Sequence, residues 1–200
     1  MKKGGVQFEP DAADGKQRIL HAALRLFAEK GLAETSIRDI GAEAELSNPA
    51  LYKHYESKDA LARELFVFCY RWLHRSLEKV VGGEFDSFAV QFAAYSATFF
   101  EQFEAAPEVV IYLSDNIQQM WPEIRGDVAG DTFVAQINRM LASAVERGEI
   151  SDELDIDLTS AIIIGGIQQL SRMWYLGLLD RPATDWTESF TRRIVALARC

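Results

Sequence analysis

The stretch LSNPALYKHYESKDAL, residues 46–61, gathers the side chains of this chain whose types and spacing best suit chemistry. Ser47, Asn48, Pro49 and Ala50 stand at its start, and Tyr52, Lys53, His54 and Lys58 follow. The chemistry they suit is recognition of a nucleic acid. An Asn amide can pair with adenine, and small or apolar side chains can touch a thymine methyl. Tyr, Lys and His one turn further on suit phosphate contacts, which position a protein on a duplex without reading it. Lys58 adds positive charge at the head of the next helix, where free backbone N–H groups also favour phosphate.

Turnover is the poorer reading. The histidines His21, His54 and His74 have no metal-ligand or triad partner close in sequence, and there is no phosphate loop or zinc motif. No cofactor and no metal are expected, and an enzyme is disfavoured. Cys69 and Cys200 are two widely spaced cysteines, which fit a reduced intracellular protein better than a disulfide framework. The start of the chain lacks the apolar run of a secretory signal. The run AIIIGGI (161–167) is far short of the ~18–20 residues a membrane span needs. A cytoplasmic protein with no membrane partner is expected.

The formal net charge of −9 argues against nucleic acid only at first sight. Residues 1–60 carry 9 Lys/Arg and 10 Asp/Glu, whereas residues 61–200 carry 12 and 20. The acid is concentrated away from the opening stretch, and a binding surface needs only local positive charge.

The elements that position these groups are helices. Period-2 alternation is absent and apolar residues recur at helical spacing throughout, so an all-α protein of about nine helices is expected. Residues 1–15 read as a disordered arm. A first helix spans about 16–30, with Ile19, Ala22, Ala23, Leu26 and Phe27 inward and Gly31 at its end. Ser36 caps a short second helix, with Asp39 as its capping-box partner. Ser47 caps a third, with Pro49 in its first turn and an end near Tyr55. Ser57 opens a fourth, reaching about Val81. Beyond the GGEFD break, helices are expected at about 85–104, from 107 to 120, from 122 to 147 with an irregularity near 125–131, at 157–179 and at 185–199. Two short helices joined by a tight turn and preceded by a longer one form a helix-turn-helix.

With these residues in place, RILHAALRLFAEKGLAETSIRDIGAEAELSNPALYKHYESKDAL (18–61) resembles the DNA-binding domain of the TetR family of bacterial transcriptional regulators. The resemblance implies a helix-turn-helix domain at 16–60 and a ligand-binding and dimerisation bundle at 61–200. It implies a homodimer on a near-palindromic DNA operator, released by a small-molecule inducer. It also implies DNA contacts from Arg38 on the second helix, from Ser47, Asn48, Pro49 and Ala50 to bases, and from Tyr52, Lys53, His54 and Lys58 to phosphate. Two positions depart from the family pattern. Glu45 replaces a usual Gly in the turn, at a cost of roughly 1–2 kcal/mol if the left-handed conformation is kept. Gly41 replaces a usual Ala and weakens the second helix by roughly 1 kcal/mol.

Phe88, Phe92, Tyr95, Phe99 and Phe103 keep to one helical face, as core or as pocket. For an apolar or aromatic inducer the candidate lining is Phe66, Tyr70, Phe92, Tyr95, Phe99, Tyr112, Met120 and Phe133. Asn116, Gln119, Gln168, Arg172 and Tyr175 are the candidate polar groups. The eighth helix is apolar around much of its circumference, so several of its faces must be covered. Ile163, Gly166, Ile167, Leu170 and Trp174, with Phe190, Ile194 and Leu197 on the ninth, are the candidate dimer face. An internal core helix is the competing reading. An activator, or an adaptor for a protein partner, remains an alternative to a repressor on the same fold.

Overall fold

The computed structural model describes residues 6, 8, 14–128, 130 and 132–198. Among them are nine α-helices: α1 (Asp14–Lys30), α2 (Ile37–Glu43), α3 (Asn48–Tyr52), α4 (Lys58–Val81), α5 (Phe88–Ala105), α6 (Pro107–Ile124), α7 (Phe133–Glu146), α8 (Ile156–Tyr175) and α9 (Thr187–Ala198). A 3₁₀ turn, Ala183–Trp186, precedes α9. The all-α expectation holds. The chain divides into two compact units, Met1–Arg71 with Ala105–Asp127, and Trp72–Glu104 with Val128–Cys200. A boundary after residue 60 is therefore not where the packing divides. The first half of α4 and all of α6 group with the opening helices.

In the first unit α1 buries Ile19, Ala22, Ala23, Leu26 and Phe27, the stripe its spacing predicts. It stops at Gly31, whose φ of 87° is a conformation that side chains resist. Helix α6 packs on α1. Tyr112 explains the attachment. Its ring stacks on Phe27 at 5.5 Å and meets Phe66 edge-on at 5.8 Å. Its buried hydroxyl donates to the Ala62 carbonyl of α4 at 2.8 Å, which offsets the cost of burying a phenol. Burial pushes the Tyr112 hydroxyl's pKa up, so it stays a donor.

The arm expected at 1–15 is ordered in part. Phe8 is fully buried, 4.7 Å from the His21 ring and 4.8 Å from Phe68, and Val6 is buried too. Asp14 and Gly15 already belong to α1. The remaining residues of that arm lie outside the described ones. Apolar side chains at positions 6 and 8 found a face to cover, a long-range partnership that a polar local composition hides.

In the second unit the aromatic stripe of α5 is core. Phe92, Tyr95, Phe99 and Phe103 are buried, and Phe190 of α9 stacks on Phe92 at 6.1 Å and meets Phe100 at 6.0 Å. Gly166 of α8 makes room for that ring, since a Cβ there would stand 3.1 Å from Phe190. Gln136, fully buried on α7, donates to the His74 carbonyl at 3.0 Å and to Glu78 at 2.8 Å. Arg139 holds the same carboxylate at 2.7 Å. A buried amide is tolerable only with such partners.

Two boundaries differ from expectation. Pro122 lies inside the last turn of α6 rather than opening a new helix. The inward stripe Val109, Leu113, Asn116, Met120 and Ile124 runs straight past it, and burial of that stripe outweighs one lost backbone bond. Helix α8 stops at Tyr175 rather than near 179, because Gly177 adopts a φ of 71°. The amides of Gly177 and Leu178 then fold back on the carbonyls of Trp174 and Met173, both at 2.9 Å.

Candidate nucleic-acid interface

The interface is built from local caps. Ser36 and Asp39 form a complete capping box at the head of α2. The Asp39 amide reaches the Ser36 hydroxyl at 3.2 Å, and the Asp39 carboxylate accepts from the Ser36 hydroxyl at 2.7 Å and from its amide at 2.9 Å. Those bonds, the hydroxyl first, hold the Asp39 carboxyl below its ordinary pKa. Ser47 caps α3 by accepting from the Ala50 amide at 3.4 Å, and Pro49 is the second residue of that helix. Ser57 caps α4 through the Ala60 amide at 3.1 Å.

The turn between α2 and α3 is a Schellman closure. Leu46 donates to the Gly41 carbonyl at 2.8 Å and Glu45 to that of Ala42 at 3.2 Å. Glu45 takes the left-handed position with a φ of 53°. The turn is thus kept without the glycine, and the strain is accepted. Arg18 on α1 holds Glu45 through its carboxylate at 3.0 Å and its carbonyl at 3.3 Å. Arg25 holds Glu43 at 2.5 Å. Both acids beside the turn are therefore paired with arginines of α1, which offsets their charge locally.

Leu51 is fully buried and fixes α3 on the unit's core. Tyr55 is buried too and donates to Glu64 at 2.9 Å, as its spacing from Leu51 predicts. The opposite side of the segment is open. Arg38, Ser47, Pro49, Tyr52, Lys53 and His54 are exposed, while Asn48 and Ala50 are half-buried. The structure thus brings the predicted reading residues onto one short helix and the turn before it.

Lys58 is placed differently. Its ammonium donates to the carbonyls of Leu32 at 2.8 Å, Thr35 at 2.9 Å and Ala33 at 3.4 Å. It ties α4 to the loop after α1 instead of standing free for phosphate. The exposed ends of a helix-stop loop need donors, and a lysine at the head of α4 reaches them.

The ligand candidates fall in both units. Phe66, Tyr70, Tyr112, Asn116 and Met120 are buried in the first, where Asn116 donates to the Tyr112 carbonyl of its own helix at 2.8 Å. Gln119 of that unit is exposed. In the second, Phe92, Tyr95 and Phe99 are buried, and Phe133 and Tyr175 are half-buried. Gln168 and Arg172 are exposed on α8.

The dimer candidates shift in the same way. Ile163, Ile167, Phe190 and Ile194 are buried within the second unit, Gly166, Leu170 and Trp174 are half-buried, and Leu197 alone is exposed. Trp174 packs on Phe103 at 5.2 Å. The outward apolar residues of α8 are Leu158, Ala161, Ile162 and Gly165, and Leu158, Ile162 and Gly165 share a stripe with Gln169 and Arg172. Apolar residues occupy much of the helix's circumference, so spacing alone does not choose which face turns inward. Among the described residues no helix is long and apolar enough to cross a membrane, and no group of three or more His, Cys, Asp or Glu could hold a metal.

Residues 19–65 match the family of bacterial regulatory proteins described as the tetR family. Over 152 residues the chain is 30% identical to the HTH-type transcriptional repressor KstR2 of Mycobacterium tuberculosis, covering 72% of this chain and 74% of that protein. The solved structure of the ketosteroid transcriptional regulator KstR2 of Mycobacterium tuberculosis superposes with a TM-score of 0.81 at 22% identity, over 98% of each chain. The transcriptional regulator FadR of Bacillus subtilis, solved in complex with stearoyl-CoA, gives 0.71 at 17% identity, over 90% of this chain and 97% of that one. Capped helices, the closed turn and these likenesses agree: the chain belongs to the TetR family of DNA-binding transcriptional regulators, a family of regulators and not of enzymes.

Proposed function

We propose that this protein is a homodimeric repressor that leaves a near-palindromic operator when a largely apolar small molecule binds. The observation that carries the dimer is the outward stripe of α8. Leu158 is 58% exposed and Ile162 42%, at helical spacing with the small Gly165, and Leu197 of α9 adds 39%. Such a stripe on a second copy would be self-complementary, as a two-fold interface requires. Two reading heads would then meet successive major grooves about 34 Å apart.

Two further features support an apolar inducer with a hydrogen-bonding end. Ser96 of α5 and Ser171 of α8 are buried in the aromatic-rich second unit, and their hydroxyls have no hydrogen-bond partner. Buried hydroxyls are rarely left so, and a ligand's polar atom would satisfy them. The relatives' names point the same way, one a ketosteroid regulator and one seen with stearoyl-CoA. Ligand would favour a conformer whose heads no longer match the operator spacing.

The test has two stages. Purified protein is mixed with fragments of its source genome at roughly physiological salt, and the retained DNA is sequenced. Steroid and long-chain acyl-CoA probes are then added to the complex. Enrichment of a short near-palindrome, released by one of these probes, is the expected result. Release only by sugars or nucleotides would overturn the apolar inducer, and tighter binding on probe addition would favour an activator.

A further inference from the structure

Helix α3 is only five residues long, so its own backbone bonds do little to fix its aim. Leu51 anchors it by full burial, but apolar burial is non-directional. A second anchor follows four residues on, and this one is directional. Tyr55 is buried, its amide donates to the Leu51 carbonyl at 3.1 Å, and its hydroxyl donates to Glu64 Oε1 on α4 at 2.9 Å. The same oxygen takes the Lys16 ammonium of α1 at 2.8 Å. That ammonium lies 5.9 Å from the centre of the Tyr55 ring, within reach of a cation–π attraction. One carboxylate oxygen of the first unit thus joins α1, α4 and the residue that follows α3. The first turn of α1 also borders the reading edge, since a Cβ at Gly15 would stand 3.4 Å from His54 Nε2 and 3.9 Å from the Leu46 side chain.

We infer that Glu64 is a positioning residue for DNA reading: through the Tyr55 hydroxyl it sets the angle at which α3 presents Ser47, Asn48 and Tyr52 to the duplex. This rests on the reading of α3 as the base-contacting helix. Without the bond, Leu51 and the Tyr55 ring still hold α3 on the core, but the short helix can swing about them. Hydrogen bonds to base edges weaken steeply when misaligned, whereas attraction to phosphate is long-range and carries no sequence information. A swinging α3 therefore loses its preferred sequence and keeps its non-specific binding. A role for the Glu64 charge alone has another signature, because removing an acid from the reading head strengthens binding to every sequence.

The test uses full-length wild type, Tyr55→Phe, Glu64→Ala, Glu64→Gln and the double variant of Tyr55→Phe with Glu64→Ala. Each is titrated onto the near-palindrome that the wild type selects and onto a scrambled duplex of the same length, at one salt concentration. Circular dichroism at the assay temperature checks folding. Tyr55→Phe changes no charge and should lower the ratio of the two affinities about tenfold, through the selected sequence alone. Glu64→Ala should lower the ratio by a similar factor, and the double variant no further. Glu64→Gln keeps an oxygen that accepts from the Tyr55 hydroxyl, so it should keep most of the ratio. The proposal is overturned if Tyr55→Phe binds both duplexes as the wild type does, even where its Tm falls. Equal losses in Glu64→Gln and Glu64→Ala also overturn it, because charge and not the bond would then be responsible. Enrichment of nothing by the wild type would instead overturn the DNA reading on which the proposal rests.

Discussion

Arg18 of α1 grips Glu45 twice, by its carboxylate at 3.0 Å and its main-chain carbonyl at 3.3 Å, while Glu45 itself holds the left-handed corner of the helix-turn-helix. A strained acidic residue is thus retained at the reading head with its charge partnered. Exposed pairs of this kind add roughly 0–1 kcal/mol. The left-handed cost is of similar size or larger. Glu45→Gly should therefore stabilise the protein by about 1 kcal/mol, raising Tm by roughly 2–4 °C for a chain of this length. It also removes the carboxylate that partners the Arg18 charge, leaving only the main-chain carbonyl contact, so non-specific affinity for DNA at low salt should rise. A fall in Tm in a scanning-calorimetry comparison would show that the pair outweighs the strain.

Lys58 gives a sharper test, because its two possible roles leave different signatures. As a tie between α4 and the loop carbonyls, Lys58→Met should cost about 2 kcal/mol of stability. The salt dependence of DNA binding should then be unchanged. A lysine on phosphate would instead lower the salt slope by about 1 with little change in Tm. Fluorescence titrations over a range of salt, run beside thermal melts, separate the two.

Tyr112 binds α6 to both α1 and α4. Tyr112→Phe removes only the bond to the Ala62 carbonyl and should cost about 1 kcal/mol. Tyr112→Ala also removes the ring stacked on Phe27 and should cost about 3–5 kcal/mol. Urea denaturation of both variants measures the difference. Equal losses would mean that the ring packing contributes little.

The two faces of α8 should respond oppositely. Leu158→Glu with Ile162→Glu should leave a folded monomer near 22.5 kDa by light scattering. Ile163→Ala, one position along and fully buried, should keep the dimer and lower stability by about 2–5 kcal/mol. Dimers persisting in the double Glu variant would place the self-association elsewhere.

Asp39 makes the head of α2 sensitive to acid. Its carboxyl pKa is lowered by the Ser36 hydroxyl and amide, so the stabilisation is full above the unfolded value of about 4 and is lost as pH falls through the folded one. Circular-dichroism melts in that acidic window should show Asp39→Asn losing less stability than the wild type as pH drops. Parallel pH profiles for the two proteins would remove Asp39 from that role.

The caps at Ser36, Ser47 and Ser57 and the buried stripe of α1 were legible because each depends on residues within a turn or two. The family pattern over residues 18–61 was legible for the same reason. The carbonyl partners of Lys58 were not legible because Leu32 and Thr35 lie more than twenty positions away. Phe8 was missed because its partners are on α1 and α4. The inward and outward residues of α8 were exchanged by one position, Ile163 for Ile162, because a helix apolar around much of its circumference carries little phase.

By itself, then, the sequence determined the all-α class and the capped starts of α2, α3 and α4, since hydrogen-bonded caps and periodic burial are short-range. Only the tertiary structure decided what each face meets. It assigned α6 to the reading head through Tyr112, turned Leu158 and Ile162 outward, closed the α2–α3 turn on a strained Glu45 and joined Lys16 of α1 to Glu64 of α4. Each of these was settled by packing between segments distant in sequence, where a difference of one methyl group or one position of register changes which side chain finds room.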